Sequence, residues 1–362
     1  MEKQHEQAEI EQMEQSEQEQ STPELSRRGF LGKAAVATAS GLVLPSILGG
    51  ALSPGAMAQA QAGRKRKVIF VTHSNDPFFV PVRRGFETFG RLRGWQMQWL
   101  GRPQQNTQAT LQLMESALAA KPDAVGFTRI DTTSFDDVIE KALKQGVKVM
   151  LYNVASPGYE KLGVGFVGQD FVPAGVTNGL QVAKYAQQIT KRKEGLIVLC
   201  ELAAGNSALE QRTQGAKQGV EQYNRQNGTK FRTEILITSD DQAKAISRMD
   251  AKYTSKRNEI VGWAHADQAL AYGAAWAADR NLTGRFAQGG FDLVPAILRA
   301  IQDGSAQWSI GQNPYAQGWV TASLLDMEME AGYPGYSYDT GSEVVDKSNI
   351  KAVTAREAKF AK

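Results

Sequence analysis

From Lys67 onward, short runs rich in Val, Ile, Leu and Phe alternate with longer amphipathic segments, and this rhythm restricts the chain more than any other feature. Strand-length apolar runs separated by helix-length segments are the pattern of βαβ units, which build parallel sheets. The expected strands are 68–72, 96–100, 124–128, 148–152, 165–168, 195–200, 231–238, 259–263, 287–291 and 308–311, with helices in the gaps. The first helix shows the phase. Asp76 is placed to cap it, Pro77 suits its first turn, and Phe78, Val82, Phe86 and Phe89 recur at helical spacing.

In open parallel sheets, ligands bind beyond the carboxyl ends of the strands, where loops gather and helix N-termini present N–H groups. Applied to the expected strand ends, this rule selects Thr72, Ser74, Asn75, Asp76, Thr128, Arg129, Asp131, Asn153, Gln169, Asp170, Asn206, Arg212, Asp240, Asp267, Asp292, Gln312 and Asn313. Phe78, Phe79, Trp263 and Phe291 lie beside them. Carboxylates and amides hold paired hydroxyls, and flat aromatic faces take the C–H side of a sugar ring, so the set has the composition of a carbohydrate pocket. Helix capping is the competing role for any single Asp at a strand-to-helix junction.

The first sixty residues belong to a different class. Met1 to Leu25 carries eight Glu, one Lys and many Gln with almost no apolar residues, a composition that cannot bury a core and predicts disorder. Ser26-Arg27-Arg28-Gly29-Phe30-Leu31 followed by a weakly apolar, Ala- and Gly-rich stretch resembles a twin-arginine export signal. Its glycines, Pro45 and the small-residue triplets ending at Ala58 and Ala60 favour cleavage over a membrane anchor. About 300 residues remain, enough for two domains. Segment 1–60 holds eight acids and four bases against a whole-chain charge of +3, so the remainder carries +7. That charge is spread over helices rather than gathered in a stripe, which excludes nucleic acid as a partner. The one cysteine, Cys200, precludes an internal disulfide and reads as a small buried hydrophobe.

Several segments together resemble the type I periplasmic binding proteins of the ribose-binding group, from about Lys67 to Ser342. They are Asn75–Phe79 (NDPFF), Ala203–Gly215, Ala264–Ala274, Gly290–Asp292 (GFD) and Ile310–Gly318. The resemblance implies an α/β fold of two doubly wound parallel-sheet lobes joined by a three-strand hinge near residues 168, 312 and 344. The lobes are then 64–168 with 313–344, and 169–312 with 345–362. It also implies ligand contacts from Thr72, Asp76, Phe78, Phe79, Thr128, Asp131 and Asn153 in one lobe, and from Arg212, Asp240, Asp292 and Gln312 in the other. The strand-end rule adds Arg129 and Asp267.

Ribose binders of this group usually have an Asp-Arg pair where this chain has Asn153-Val154, an aromatic at the position of Asp240, and an Asn at that of Ala266. The exchange points to another monosaccharide or a polyol, and Asp240 also suits a partly cationic ligand. The implied role is capture of such a solute in the periplasm by a monomer that delivers it to an ABC transporter permease in the inner membrane, with no catalysis and no cofactor. Presentation of the bound solute to a chemoreceptor or sensor kinase is an additional role that the sequence does not separate from transport.

Rival classes leave weaker marks. A redox enzyme lacks ligands, since the chain has one Cys and three His (His5, His73, His265), none in a paired metal spacing. Gly163, Gly165 and Gly168 spell G-x-G-x-x-G, but they overlap an expected strand instead of following one as a turn. A sugar-acting hydrolase would need two cleft carboxylates at a set separation, for which Asp76, Asp240 and Asp292 are the available groups. The transcriptional regulators that share this fold carry a helix-turn-helix where this chain carries the export signal.

Overall fold

Apolar runs that are buried on both faces need covering layers above and below, and the chain supplies them twice. The computed structural model describes residues 64–360 apart from Gln104. The expected export signal and acidic extension fall outside those residues. One six-stranded sheet contains β1 (Lys67–Val71), β2 (Gln96–Leu100), β3 (Ala124–Arg129), β4 (Lys148–Ala155) and β5 (Gly165–Gly168), with β11 (Tyr338–Asp339) at its edge. Its order is β11-β5-β4-β3-β1-β2, and all its pairings are parallel. The second contains β6 (Glu194–Glu201), β7 (Lys230–Ile237), β8 (Ile260–His265), β9 (Ala287–Phe291) and β10 (Trp308–Gly311), with β12 (Glu343–Asp346) at its edge. Its order is β12-β10-β9-β8-β6-β7, so the five principal strands repeat the first arrangement. Only β12 runs antiparallel to its neighbour.

Successive residues of each strand feed opposite faces. In β1, Val68 and Phe70 pack under α1 (Phe79–Arg93) and α9 (Pro314–Ala331), while Ile69 and Val71 pack against α2 (Thr107–Ala119) and α3 (Asp136–Lys144). In β6, Ile197 and Leu199 face α4 (Phe171–Thr190) and α5 (Ser207–Asn227). Leu196, Val198 and Cys200 face α6 (Gln242–Lys256) and α7 (Leu270–Asp279), so Cys200 is a buried core residue. Helices α8 (Pro295–Asp303) and α10 (Ile350–Glu357) complete the second lobe.

The ten expected strands are all present, nine of them within two residues of their expected ends and β4 running three residues further, to Ala155; the two-residue β11 and the short β12 are additions. The glycine motif at Gly163–Gly168 runs into β5 and makes no phosphate-type turn. The first helix begins later than expected, at Phe79. Asp76 instead closes a turn ahead of it, taking the Phe78 N–H at 2.9 Å and the Ser74 hydroxyl at 2.8 Å. The chain passes between lobes at Gln169–Asp170, Gln312–Asn313 and Thr340–Ser342. Glu343 and Val344, expected in the first lobe, pair with Gly311 and Ile310 in the second sheet, because β12 closes that sheet's edge.

Two helix pairs fix how the site loops are presented. Gly318 of α9 meets the Val82 carbonyl of α1, and Gly175 of α4 meets the Arg212 carbonyl of α5; at either position a Cβ would collide with backbone. Only glycine permits so close a helix contact. The second pair therefore sets the height of Arg212 over the cleft.

Candidate functional site

The loops after the strands of both sheets meet at one cavity between the lobes, with an empty volume of about 1020 Å³ counted out to open solvent. The first lobe contributes His73, Ser74, Asp76, Phe78 and Phe79 after β1, Pro103 and Gln105 after β2, and Asn153 and Val154 from β4. From the second come Leu202, Asn206, Leu209 and Arg212 after β6, Asp240 after β7, Asp267, Gln268 and Tyr272 after β8, and Asp292 after β9. Phe171 opens α4 just past the first crossing, and Gln312 belongs to the second. Contacts also span the cleft directly: the Asn206 amide donates to the Gln105 side-chain oxygen at 3.0 Å, and the Ser156 and Ser207 hydroxyls lie 2.6 Å apart.

Arg212 is the one buried cation of the cavity lining and is fixed on every side. Its guanidinium carbon lies 4.3 Å from the Phe291 ring centroid and 5.1 Å from that of Phe171. Nε and Nη2 donate to the Gln169 side-chain oxygen at 3.2 and 2.9 Å, and Nη1 donates to the Ala266 carbonyl at 3.0 Å. A guanidinium has five N–H groups, so two remain for whatever occupies the cavity. Burial lowers its pKa, against the pull of Asp292 and Asp267; guanidinium stays charged under such a shift.

The carboxylates differ in how they are held. Asp292, at φ 76°, accepts from the Gln312 amide at 2.6 Å. Burial raises its pKa, opposed by Arg212 and by that hydrogen bond. Asp267 accepts the Leu202 N–H and the Ala269 N–H, both at 2.8 Å, so it also ties two loops together; burial pushes its pKa up to about 7. Asp76 is raised by burial, opposed by its bonds from Ser74 and Phe78. Asp240 stands exposed at the mouth, while its neighbour Asp241 caps α6 by accepting the Lys244 N–H. His73 lies edge-on to Phe79, 5.3 Å between centroids, and burial holds its pKa down at about 4, so the ring is neutral at pH 7.

Of the expected contacts, Asp76, Phe78, Phe79, Asn153, Arg212, Asp240, Asp267, Asp292 and Gln312 line the cavity. Thr72, Thr128, Arg129 and Asp131 do not. Thr72 and Thr128 each stand one residue past the registered pair Val71–Phe127, fully buried in the layer beneath. Their hydroxyls have no partner among the described residues. Arg129 spends its donors on Asp136 and on the carbonyls of Thr132, Ser156 and Pro157, which makes it a loop clamp. Asp131 accepts the Thr133 and Ser134 N–H groups and shapes the turn before α3. Trp263 is a core residue packed on Trp276 and Phe286, and Phe291 is wholly buried beneath Arg212.

The lining residues absent from the sequence reading are chiefly Gln105, Phe171, Gln268 and Tyr272. Gln105 follows β2 and would have been selected had the strand-end rule been applied to that loop as well. Tyr272 sits inside α7 and Phe171 opens α4, so both lie past the loop residues that the rule inspects.

The family described as periplasmic binding protein domain matches residues 67–332. A xylose/arabinose-binding protein, XylF, of Sulfolobus acidocaldarius is 24% identical over 307 residues, covering 79% of this chain and 72% of the relative. Among solved structures, an ABC transporter solute-binding protein from Burkholderia graminis in complex with D-arabinose superposes with a TM-score of 0.70 at 22% identity, covering 79% of this chain and 97% of that one. A carbohydrate transporter solute-binding protein from Agrobacterium radiobacter, also with D-arabinose, gives 0.73 at 19% identity, covering 82% and 99%. A carbohydrate transporter from Acidothermus cellulolyticus in complex with myo-inositol gives 0.69 at 20% identity, covering 83% and 100%. At these identities the likeness carries the fold.

Proposed function

The chain belongs to the periplasmic binding protein domain family, and on that premise we propose that it captures a monosaccharide or polyol between its lobes and delivers it to an ABC importer. One observation carries the ligand class. The cavity sets the carboxylates of Asp76, Asp240, Asp267 and Asp292, with the amides of Asn153, Gln268 and Gln312, against a single cation, Arg212. Such an acceptor-rich wall suits a ligand with many hydroxyl donors. Phe78 and Phe79 offer aromatic faces for its C–H side. The sugars and the cyclitol named for the relatives are of this class.

In this reading Arg212 forks onto ring or hydroxyl oxygens, Asp292 and Asp240 each accept from hydroxyls, and closure of the lobes makes the surface that a permease recognises. The twin-arginine segment directs the chain to the periplasm, where a monomer suits a protein that docks through both lobes. Catalysis is not part of the proposal. A thermal-shift screen of residues 63–362 against pentoses, hexoses, amino sugars and cyclitols tests it, because a ligand that binds only the folded state raises its melting temperature. A rise with at least one compound, abolished in Arg212→Ala, is expected; no rise with any compound of these classes sinks the carbohydrate assignment.

A further inference from the structure

Gln169 is the first residue after β5, in the first crossing, and its side chain is buried where the three crossings come together. The two ends of its amide face different parts of the molecule. Its nitrogen donates to the Gly341 carbonyl in the third crossing at 3.0 Å and to the Gly311 carbonyl at the start of the second at 3.4 Å. Its oxygen accepts two N–H groups of Arg212. One side chain thus joins all three crossings to the cation of the cleft. A rotation of the lobes must twist the crossings against one another, and that motion works directly on the bonds of this amide. Gly311 and Gly341 offer only backbone here, so the link depends on the residue at 169.

We infer that Gln169 is a positioning residue that couples the orientation of Arg212 to the alignment of the three crossings, so that ligand contact at the guanidinium is felt at the hinge. The inference rests on the proposed solute-binding role for its ligand-dependent half only. The mechanical half stands on the hydrogen bonds alone. Coupling of this kind needs a group with differential contacts in two lobe arrangements, and an amide shared between hinge carbonyls and a ligand-facing cation is such a group.

The test uses the whole mature chain carrying Cys200→Ser, with spin labels at Arg91→Cys in the first lobe and Lys217→Cys in the second. Interlobe distances are measured with and without D-arabinose, D-xylose, D-tagatose and myo-inositol. In Gln169→Leu without sugar, the distance distribution is expected to broaden relative to the parent; an unchanged distribution overturns the mechanical half. Gln169→Glu keeps the acceptor toward Arg212 and removes the donor toward the crossings. It is expected to broaden the sugar-free distribution too while holding affinity for the bound sugar within about threefold, whereas Gln169→Leu loses about tenfold. In an Arg212→Lys background, Gln169→Leu should then change affinity less than twofold, since its effect passes through the guanidinium. An equal loss in both backgrounds would contradict the coupling. Failure of every sugar to bind the parent counts against the solute-binding reading, and the sugar-free distances still decide the hinge role.

Discussion

The two lobes share one strand order but bring opposite chemistry to the cleft. The first offers aromatic rings, Phe78, Phe79 and the neutral His73, around a single carboxylate, Asp76. The second offers Arg212 with Asp240, Asp267 and Asp292. The shared order of the five principal strands therefore fixes where a site lies, and the loop residues fix what each wall does. A wall of rings contributes mainly by burying ligand C–H surface, and a wall of charges by directed hydrogen bonds that also discriminate between ligands. The walls differ in support as well. Arg212 rests between two rings and holds the Gln169 and Ala266 oxygens, while Phe78 and Phe79 pack on each other edge to face at 5.2 Å.

Substitutions on the two walls should separate these roles. The largest effect is expected from Arg212→Ala, which removes the two N–H donors left to meet a ligand and leaves Asp292 buried without its counter-charge; sugar affinity by calorimetry should fall about 100-fold. Gly175→Ala forces the Arg212 backbone away from α4, so it should lower both stability, by about 2 kcal/mol in denaturant titrations, and affinity. Gly318→Ala, its counterpart under the first lobe, should lower stability by a similar amount with a smaller loss of affinity. Equal affinity losses from the two glycines would erase the proposed division between the walls. On the aromatic wall, Phe78→Ala should cost about five- to tenfold in affinity.

The last effect concerns pH, and its steepest case is in the second lobe. His265 is fully buried with neither ring nitrogen partnered among the described residues, and burial lowers its pKa to about 3. The unfolded ring takes a proton near pH 6.5 and the folded ring does not, so this group's contribution is intact above pH 6.5 and is lost as pH falls toward 3. Asp267 acts in the opposite sense. With a folded pKa of about 7 it keeps its proton after the unfolded carboxyl has lost one, so its contribution falls as pH rises from about 4 to 7. In His265→Gln, stability between pH 6.5 and 4 should therefore decline less steeply than in the parent, by up to about 1.4 kcal/mol per pH unit, read from urea midpoints.

Much of this was legible in the sequence because parallel strands buried on both faces leave continuous apolar runs. β3 and β8 are buried at every position, and both stand out as such runs. β11 and β12 are short, partly exposed edge pieces with no such run, and only the family resemblance pointed to that part of the chain. Nine of the seventeen residues that the strand-end rule selects line the cavity, because the rule concerns backbone topology. It failed where a polar residue was committed locally: Arg129 to the carbonyls around it and Asp131 to its own turn, which composition alone does not distinguish from a ligand contact. Trp263 failed for the related reason that a tryptophan at a strand end serves a core as readily as a pocket.

The central claim is that the charged wall of the second lobe selects a hydroxyl-rich ligand. Calorimetric titration of the mature chain with D-arabinose, D-xylose, D-tagatose and myo-inositol, in parallel for the parent and Arg212→Ala, tests it most directly. Saturable one-to-one binding of at least one of them by the parent, weakened about 100-fold in the variant, is the result predicted. Binding of equal strength by parent and variant would contradict it.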